Sequence, residues 1–298
     1  MTTTLKNVLA ATDFSGPSRH AAERAARLAH EAGAHLQLLH VLSGRALKQL
    51  QHLLGLDSAV EQGVIDEARR TLDNLASELA LAQGVAIETK LVSGSVLEEI
   101  GGQAGALDAD LVVLGARGAG FMRRMVLGST AERLLRKTRH PLLVVRQKSH
   151  ERYRRVLIPV DFSHWSASAL ALARLVAPSA HFVLLHAYEV PFEGKLRFAG
   201  VDEVTIKGYR RQAEQSAAQQ LRALAAGAGL QPADWSPCVL YGDASLCIIE
   251  QEQEQDCDLI VIGKHGQNMA EDLLLGSVTK HVLAESAGDV LVSTLKLA

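Results

Sequence analysis

Two glycine clusters carry the chemistry that this sequence offers most clearly. The first reads Gly115-Ala-Arg-Gly118, and nine residues later Gly128-Ser129-Thr130 follows. A glycine lets the backbone approach a phosphate closely and adopt a positive φ. Ser129 and Thr130 stand where a helix is predicted to begin, and a helix N-terminus offers free N–H groups to an anion. The two clusters together predict a site that grips a triphosphate from two sides.

Asp13 is the polar residue that most plainly accompanies these clusters, because it ends the apolar run VLAAT. Its carboxylate could accept a hydrogen bond from a ribose hydroxyl or an adenine amine, or hold Mg²⁺ through water. Purely structural roles are the alternative to ligand binding: Asp13 and the glycines could be turn residues, and Ser129 could be a helix N-cap. Ser15 is the better N-cap candidate for the helix that follows Asp13, which leaves Asp13 more available to a ligand.

The whole pattern occurs twice in the 298 residues. Asp161 follows Asp13 by 148 residues, and Gly263 follows Gly115 by the same interval. The chain is therefore a duplication of a domain-sized unit rather than a solenoid. The polar stretch 147–155 is the expected linker, and the expected domains are 1–147 and 153–298. The repeated segments are VLAATDFS (8–15) with VLIPVDFS (156–163), AHLQLLHVL (34–42) with AHFVLLHAY (180–188), ADLVVLGARG (109–118) with CDLIVIGKHG (257–266), and LGST (127–130) with LGSV (275–278).

Short apolar runs alternate with helical stretches in each half, which predicts an α/β fold. Continuous runs of Val, Leu and Ile are typical of parallel strands buried on both faces. The alternation predicts two tandem, doubly wound, five-stranded parallel-sheet domains, Rossmann-like, with strand order 3-2-1-4-5. Predicted strands are 5–12, 35–42, 86–92, 110–115, 141–146, 155–160, 181–188, 236–241, 258–263 and 290–294. Predicted helices of the first half are 17–32, 61–83, 95–106 and 129–138.

This strand order brings the chemical residues to one place. The winding direction reverses between the first and fourth strands, and ligands bind in that crevice at the carboxyl ends of the strands. Asp13 ends the first strand and Gly115 ends the fourth, so both belong to the crevice. Val41 is expected just after the second strand, where backbone groups could read an adenine edge or where Val41 could simply pack in the core.

Composition narrows the function classes. The formal net charge of −2 gives no electrostatic reason to expect nucleic acid or an anionic membrane as a partner. The sequence predicts no membrane span and no signal peptide, and three cysteines without a CxxC motif fit a reduced, cytoplasmic protein. The run EQEQEQD (250–256) predicts a solvated helix face, and His40 and His186 are expected to be buried, hydrogen-bonded histidines. The region 43–60 could be a lid, a partner surface or a satellite core.

The pattern G-x₂-G-x₉-G-[ST], joined to TDFS and VDFS after the first strand of each half, resembles the universal stress protein family over nearly the whole chain. In ATP-binding members of that family, the resemblance implies that the nucleotide lies on these matched positions. They are Ala11, Thr12, Asp13, Val41, Gly115, Arg117, Gly118, Gly128, Ser129 and Thr130 in the first half, and Pro159, Val160, Asp161, Ala187, Gly263, His265, Gly266, Gly276, Ser277 and Val278 in the second. Ala11 occupies the position that corresponds to Pro159 in the second half, and many members of the family have a proline there.

The resemblance implies an ATP-binding stress-response protein, with Mg²⁺ beside the nucleotide, that acts as a sensor or chaperone-like factor and not as an enzyme. It also implies an internal pseudo-dimer in which segments 141–146 and 289–294 pair antiparallel; a homodimer of the whole chain is plausible. Alternatives are a slow ATPase and a nucleotide-independent scaffold or binder of another small molecule. A nucleotidyl transferase or ATP pyrophosphatase would need HxGH or SGGxDS, and neither occurs.

The two halves are expected to differ in affinity. Arg117, Arg123 and Arg124 accompany the first pair of glycine clusters, whereas Glu271 and Asp272 stand in the matching stretch of the second half. Because a triphosphate is strongly anionic, the first half is predicted to be the stronger ATP site.

Overall fold

The chain divides into two compact units, Met1–Arg152 and Tyr153–Ala298. The structure, a computed structural model, describes residues 4–44, 58–118, 128–190, 193–266 and 275–294. Of the residues on which the predicted difference in affinity depends, Arg117 is described, whereas Arg123, Arg124, Glu271 and Asp272 lie outside the described residues, as do residues 45–57 of the possible lid.

The first unit alternates strands and helices as predicted, with each boundary within three residues of its expected position. Its elements are β1 (Asn7–Thr12), α1 (Gly16–Ala32), β2 (His35–Ser43), α2 (Ser58–Gln83), β3 (Ile87–Gly94), α3 (Val96–Ala106), β4 (Leu111–Gly115), α4 (Ser129–Lys137) and β5 (Leu142–Val145).

The second unit repeats this order and adds a short helix after its second strand. Its elements are β6 (Arg155–Pro159), α5 (His164–Val176), β7 (His181–Tyr188), α6 (Glu193–Phe198), α7 (Glu203–Gly227), β8 (Trp235–Tyr241), α8 (Ala244–Glu254), β9 (Leu259–Gly263), α9 (Ser277–Glu285) and β10 (Asp289–Ser293).

The strands of each unit take the predicted order. It is β3-β2-β1-β4-β5 in the first unit and β8-β7-β6-β9-β10 in the second, and the neighbouring strands run parallel. The central strands are buried on both faces: Val8, Leu9 and Ala10 of β1 are all fully buried. Such strands need helices on both sides of the sheet, which explains the continuous apolar runs.

The first helix shows how local sequence sets the geometry of the site. Ser15 caps α1 by accepting a hydrogen bond from the Ser18 backbone N–H, and Pro17 occupies its first turn. Gly33 ends the helix with φ 65°, a left-handed conformation that favours glycine. Ser15, rather than Asp13, is therefore the N-cap, as the sequence predicted. The helix begins directly after the end of β1, so its N-terminus lies at the carboxyl edge of the sheet.

The stretch 147–155 is tied to the units rather than loosely exposed. Arg24 of α1 donates a hydrogen bond from Nη1 to the Glu151 carbonyl oxygen at 2.8 Å, and Arg27 donates from Nε to Ser149 Oγ at 3.1 Å. In the second unit the buried Tyr153 hydroxyl donates to Asp289 Oδ2 at 2.7 Å. Within the described parts of the chain, no helix combines the length and the apolar character needed to cross a membrane.

Candidate functional site

A cavity of about 530 Å³ opens at the carboxyl ends of the central strands of the first unit. Every residue that the sequence predicted for the first site contributes to its wall. These residues are Ala11, Thr12, Asp13, Val41, Gly115, Arg117, Gly118, Gly128, Ser129 and Thr130. The end of β1, the end of β4 and the start of α4 thus converge as the strand order requires.

Asp13 is held by the turn that joins β1 to α1. Its Oδ1 accepts hydrogen bonds from the Ser15 backbone N–H at 3.1 Å and from Ser15 Oγ at 2.5 Å. Its own backbone N–H donates to Ser18 Oγ at 3.3 Å. A Cβ atom placed on Gly118 would lie 2.7 Å from Asp13 Oδ2, so that oxygen faces the glycine loop. The carboxylate is therefore oriented across the crevice towards the loop after β4.

The residue after Asp13 holds an unusual backbone conformation. Phe14 has φ 64°, and Phe162 has φ 61° at the equivalent place in the second unit. A positive φ is costly for a large side chain and persists only where the surroundings enforce it. The Phe14 ring stacks on His40 with centroids 4.1 Å apart, and its backbone N–H donates to Thr12 Oγ1 at 3.0 Å. These contacts fix the sharp turn that presents Asp13 at the end of β1.

His40 supports this turn as a neutral imidazole. Its Nδ1 lies 2.7 Å from the Thr12 carbonyl oxygen, and since a carbonyl only accepts, Nδ1 carries the proton. Burial lowers the pKa of His40, opposed by the bond to Thr12 and by the charge of Asp13. The hydrogen bond expected for this residue is confirmed, and His186 makes the same contact with the Val160 carbonyl at 2.7 Å. Both histidines are only half-buried, and His186 lines the second cavity.

The glycines of the loop after β4 do not adopt the positive φ that was one of their two predicted roles. None of Gly115, Gly118 and Gly128 has a positive φ, so conformational freedom is not why glycine stands there. A Cβ on Gly115 would lie 2.8 Å from the backbone carbonyl carbon and oxygen of Pro17. Gly115 therefore admits the first turn of α1 against β4, and Gly118 leaves room for the Asp13 carboxylate.

Gly128 places the start of α4 beside this loop. Its N–H donates to the Ala116 carbonyl oxygen at 2.8 Å, which returns the chain to the end of β4 after residues 119–127. Gly128 is the N-cap of α4, with no side-chain capping bond, and Ser129 is the first helical residue. The interpretation of Ser129 as an N-cap is thus wrong. Its exposed hydroxyl and the N-terminal N–H groups of the helix border the cavity, where they favour an anion.

Val41 lies within β2, as the predicted strand 35–42 implies, and this corrects its expected position just after the strand. The strand continues because β3 pairs with it as far as Ser43 and Gly94. On its other side β1 ends at Thr12, which pairs with His40. Val41 therefore extends past the end of β1 and lines the cavity.

The second unit has a cavity of about 280 Å³ in the equivalent position. Asp161 Oδ1 accepts hydrogen bonds from Ser163 N at 3.0 Å, Ser163 Oγ at 2.6 Å and Ser166 Oγ at 2.7 Å. Pro159 pairs in register with Leu185 as Ala11 does with Leu39, so the backbone path is the same in both units. All the residues predicted for the second site line this cavity: Pro159, Val160, Asp161, Ala187, Gly263, His265, Gly266, Gly276, Ser277 and Val278.

Several lining residues were not predicted, because they come from helices whose faces the motif does not mark. Val96 and Ile100 of α3 add an apolar wall to the first cavity, with Leu39 of β2 and Leu114 of β4. The helical spacing of Val96 and Ile100, four residues apart on a face turned to the sheet, was the available signal. Ala244 and Ile248 of α8 play the corresponding part in the second unit, and Trp165 and Ser166 of α5 also line its cavity.

In the parts of the chain that the structure describes, the cysteine thiols and the metal-binding side chains do not indicate a further reactive or metal site. Burial raises the pKa of Cys238 and Cys247, and raises that of Cys257 to about 12. All three are free cysteines. Among the described residues, no group of three or more His, Cys, Asp or Glu side chains is arranged to hold a metal ion by itself. The two cavities at the carboxyl ends of the sheets are therefore the principal candidate sites.

Comparison with known proteins agrees with this architecture. The universal stress protein family model matches residues 4–146 and again residues 152–294. The chain belongs to the universal stress protein family. It is a tandem member, and this membership supports a role in the response to stress.

Some relatives match nearly the whole chain, and others match one unit of it. The universal stress protein Slr1230 of Synechocystis is 26% identical over 96% of this chain and 99% of its own length. The universal stress protein YxiE of Bacillus subtilis is 34% identical over 47% of this chain and 97% of its own length, which corresponds to one unit. A solved universal stress protein from Archaeoglobus fulgidus has a TM-score of 0.65 at 20% identity, covering 96% of this chain and 97% of that one. This last likeness concerns the fold.

Proposed function

We propose that this tandem universal stress protein binds ATP with Mg²⁺ in the cavity of its first unit, and acts as a nucleotide-dependent sensor or chaperone-like factor in the cytoplasm. One observation carries the proposal: Asp13, the glycine loop and the N-terminus of α4 surround a single cavity of about 530 Å³. Cavities that hold compact organic ligands commonly measure about 300–1,000 Å³. The family resemblance supplies ATP as the ligand for these matched positions.

The wall divides into an apolar and a polar part, as a nucleotide requires. Leu39, Val41, Val96 and Ile100 offer an apolar surface for adenine. The triphosphate would lie against Ser129, Thr130 and Arg117, where hydroxyls, helix N–H groups and a guanidinium can donate to it. Asp13 would accept a hydrogen bond from the ribose.

Magnesium fits this arrangement only together with the nucleotide. Mg²⁺ keeps several waters and is usually held by one or two carboxylates plus substrate phosphates, rather than by a protein cage. Asp13 is the single carboxylate among the described lining residues of the first cavity. Asp13 would therefore hold the ion through water while the phosphates supply the direct ligands.

We expect ATP to be bound without efficient hydrolysis. A general base must lie within hydrogen-bond reach of the attacking water. Asp13 Oδ1 already accepts two hydrogen bonds from Ser15, and no histidine belongs to the described lining of the first cavity. A phosphate-release assay with saturating ATP and Mg²⁺ should give a rate well below the roughly 1 s⁻¹ at the slow end of typical enzymes. Rapid, saturable release that disappears in Asp13→Ala would contradict the non-enzymatic assignment.

The binding proposal is tested by equilibrium dialysis of the intact chain against ATP, with and without Mg²⁺. Saturable binding that unlabelled ATP displaces is expected, and inorganic triphosphate at equal concentration should compete more weakly because it lacks the adenine contacts. Asp13→Asn, which keeps the shape of the side chain, should weaken binding most in the presence of Mg²⁺. A chain that retains no ATP at millimolar concentration would refute the proposal and favour a nucleotide-independent scaffold.

A further inference from the structure

The two units build their cavities on the same framework, yet the cavities differ in size. The first measures about 530 Å³ and the second about 280 Å³. The turns after β1 and β6 match in their aspartates, serines and left-handed phenylalanines. Among the described residues, the difference lies in the side chains that line the two cavities.

Trp165 and His265 line the second cavity at positions that correspond to Pro17 and Arg117 of the first unit. Trp165 stands at the second position of α5, which is the position of Pro17 in α1. It lines the cavity with His265, the counterpart of Arg117, and their ring centroids are 5.0 Å apart. Trp165 is 5% exposed and His265 is 6% exposed, so both are packed into the unit.

Counted over the residues that the structure describes, the second cavity also offers fewer donors to a chain of phosphates. Val278 replaces the hydroxyl-bearing Thr130, and Thr279 uses its hydroxyl to donate to the Gly263 carbonyl oxygen at 2.8 Å. His265 replaces the permanently charged guanidinium of Arg117, which has five N–H donors, with an imidazole that has at most two. Ser277 and the N-terminal N–H groups of α9 remain, as does Asp161.

We propose that the second cavity is a separate site for a nucleoside monophosphate of the adenine class, and that it excludes ATP. The adenosine part retains its apolar wall from Ala187, Ala244 and Ile248, and its ribose acceptor from Asp161. One phosphate suits the Ser277 hydroxyl at the start of α9, because the Thr279 hydroxyl donates to the Gly263 carbonyl oxygen. Two further phosphates would need the volume that Trp165 and His265 occupy. This proposal rests on the proposed function, because it takes the matched positions to be a nucleotide site.

The experiment uses full-length chains in which one cavity at a time is closed to phosphate. Ser129 and Ser277 are exposed first residues of α4 and α9, so Ser129→Glu and Ser277→Glu each place a carboxylate where a phosphate would bind. An acidic residue in the first turn favours the helix, so both variants should fold, which circular dichroism checks. Calorimetric titrations with AMP and with ATP in the presence of Mg²⁺ then report on one site each.

The Ser129→Glu chain should bind AMP at one site and ATP at least tenfold more weakly than AMP. Adding Ser277→Glu to that chain should abolish the remaining AMP binding. Adding Trp165→Ala and His265→Arg instead should enlarge the cavity, restore a guanidinium and raise the affinity for ATP at least tenfold. Trp165→Leu alone serves as a second variant where the double substitution prevents folding, and should raise ATP affinity by a smaller factor because it frees less volume.

Each contrary result has a separate meaning. ATP binding to the Ser129→Glu chain as tightly as AMP would overturn the size selection, and so would an absence of AMP binding there. Either result leaves the proposed function intact provided that the wild-type chain binds ATP and Ser129→Glu weakens it. A wild-type chain that binds neither nucleotide would instead refute the proposed function itself.

Discussion

Ser129→Glu should weaken binding of ATP to the intact protein by about 100-fold, whereas Ser277→Glu should change it by less than about threefold. Ser129 is the first residue of α4, and its exposed side chain borders the cavity of the first unit. A glutamate there would face the triphosphate at short range, and juxtaposed like charges cost several kcal/mol. Ser277 is the matching residue of the second unit, whose cavity we propose to exclude ATP.

The pair of variants is matched in position, exposure and charge, so each is the control for the other. Substitution of Gly128 by valine would be a poorer choice, because a Cβ there would lie 3.2 Å from the Ala116 carbonyl oxygen. Loss of binding could then reflect a displaced backbone. Calorimetry with ATP and Mg²⁺ measures both affinities. If Ser277→Glu abolishes ATP binding while Ser129→Glu leaves it intact, the assignment of ATP to the first unit is wrong.

Gly115→Ala should destabilise the first unit by about 1–3 kcal/mol, as expected for an overpacked interior. The added Cβ would lie 2.8 Å from backbone atoms of Pro17, and backbone cannot move aside as a flexible side chain can. Either β4 or the first turn of α1 must shift, and both carry residues of the site. ATP binding should therefore weaken together with stability.

Gly102→Ala provides the control for this substitution. Gly102 lies in α3, is exposed, and has no atom within 4 Å of an added Cβ. Alanine is favoured over glycine within a helix by about 0.5–1 kcal/mol, so this variant should be slightly more stable than the wild type. Urea unfolding followed by circular dichroism measures both. An unfolding midpoint for Gly115→Ala equal to that of the wild type would contradict the close contact between Gly115 and the backbone of Pro17.

The strand order and the position of the cavities could be predicted because they depend on patterns that the sequence states directly. Buried parallel strands require continuous apolar runs, and the duplicated motifs place Asp13 and Gly115 at the ends of two of them. Once the order 3-2-1-4-5 is adopted, these ends must meet at the same edge. The residues of each predicted site therefore lie together in one cavity.

The steric reason for glycine at position 115 could not be predicted, because it depends on a contact distant in sequence. A glycine run suggests conformational freedom or a phosphate. The partner that excludes a side chain at Gly115 is the backbone of Pro17, which is nearly a hundred residues earlier. Nothing local to the motif specifies this contact, since it arises only when α1 packs against β4.

The run EQEQEQD (250–256) is largely exposed, as its polar composition predicted, but two of its residues, Gln251 and Glu252, are buried. Glu252 within it is 3% exposed and buried in the second unit. Its carboxylate accepts hydrogen bonds from Ser286 Oγ at 2.8 Å and from the backbone N–H groups of Ala287 and Gly288 at 3.2 and 2.7 Å. A buried carboxylate is tolerated when its hydrogen bonds are satisfied, and its partners lie in the turn before β10.

The smaller volume of the second cavity was also not predicted from the sequence. The motif keeps its glycines and its aspartate in both units, so the sequence predicted two equivalent nucleotide sites that differ only in charge. Trp165 lies within the WSAS segment that follows the motif, and it reaches the site only because α5 begins directly after the turn at Asp161. A tryptophan aligned with Pro17 was the signal that a comparison of the two halves contained.

A crystal structure of the full-length protein with Mg²⁺ and a non-hydrolysable ATP analogue tests the central claim most directly. The account predicts a triphosphate over Gly118 and the N-terminus of α4, adenine beside Val41, and Mg²⁺ bridged to Asp13 by water. The second cavity should hold no triphosphate. Density for the analogue elsewhere on the protein, or an empty first cavity at saturating analogue, would contradict the account.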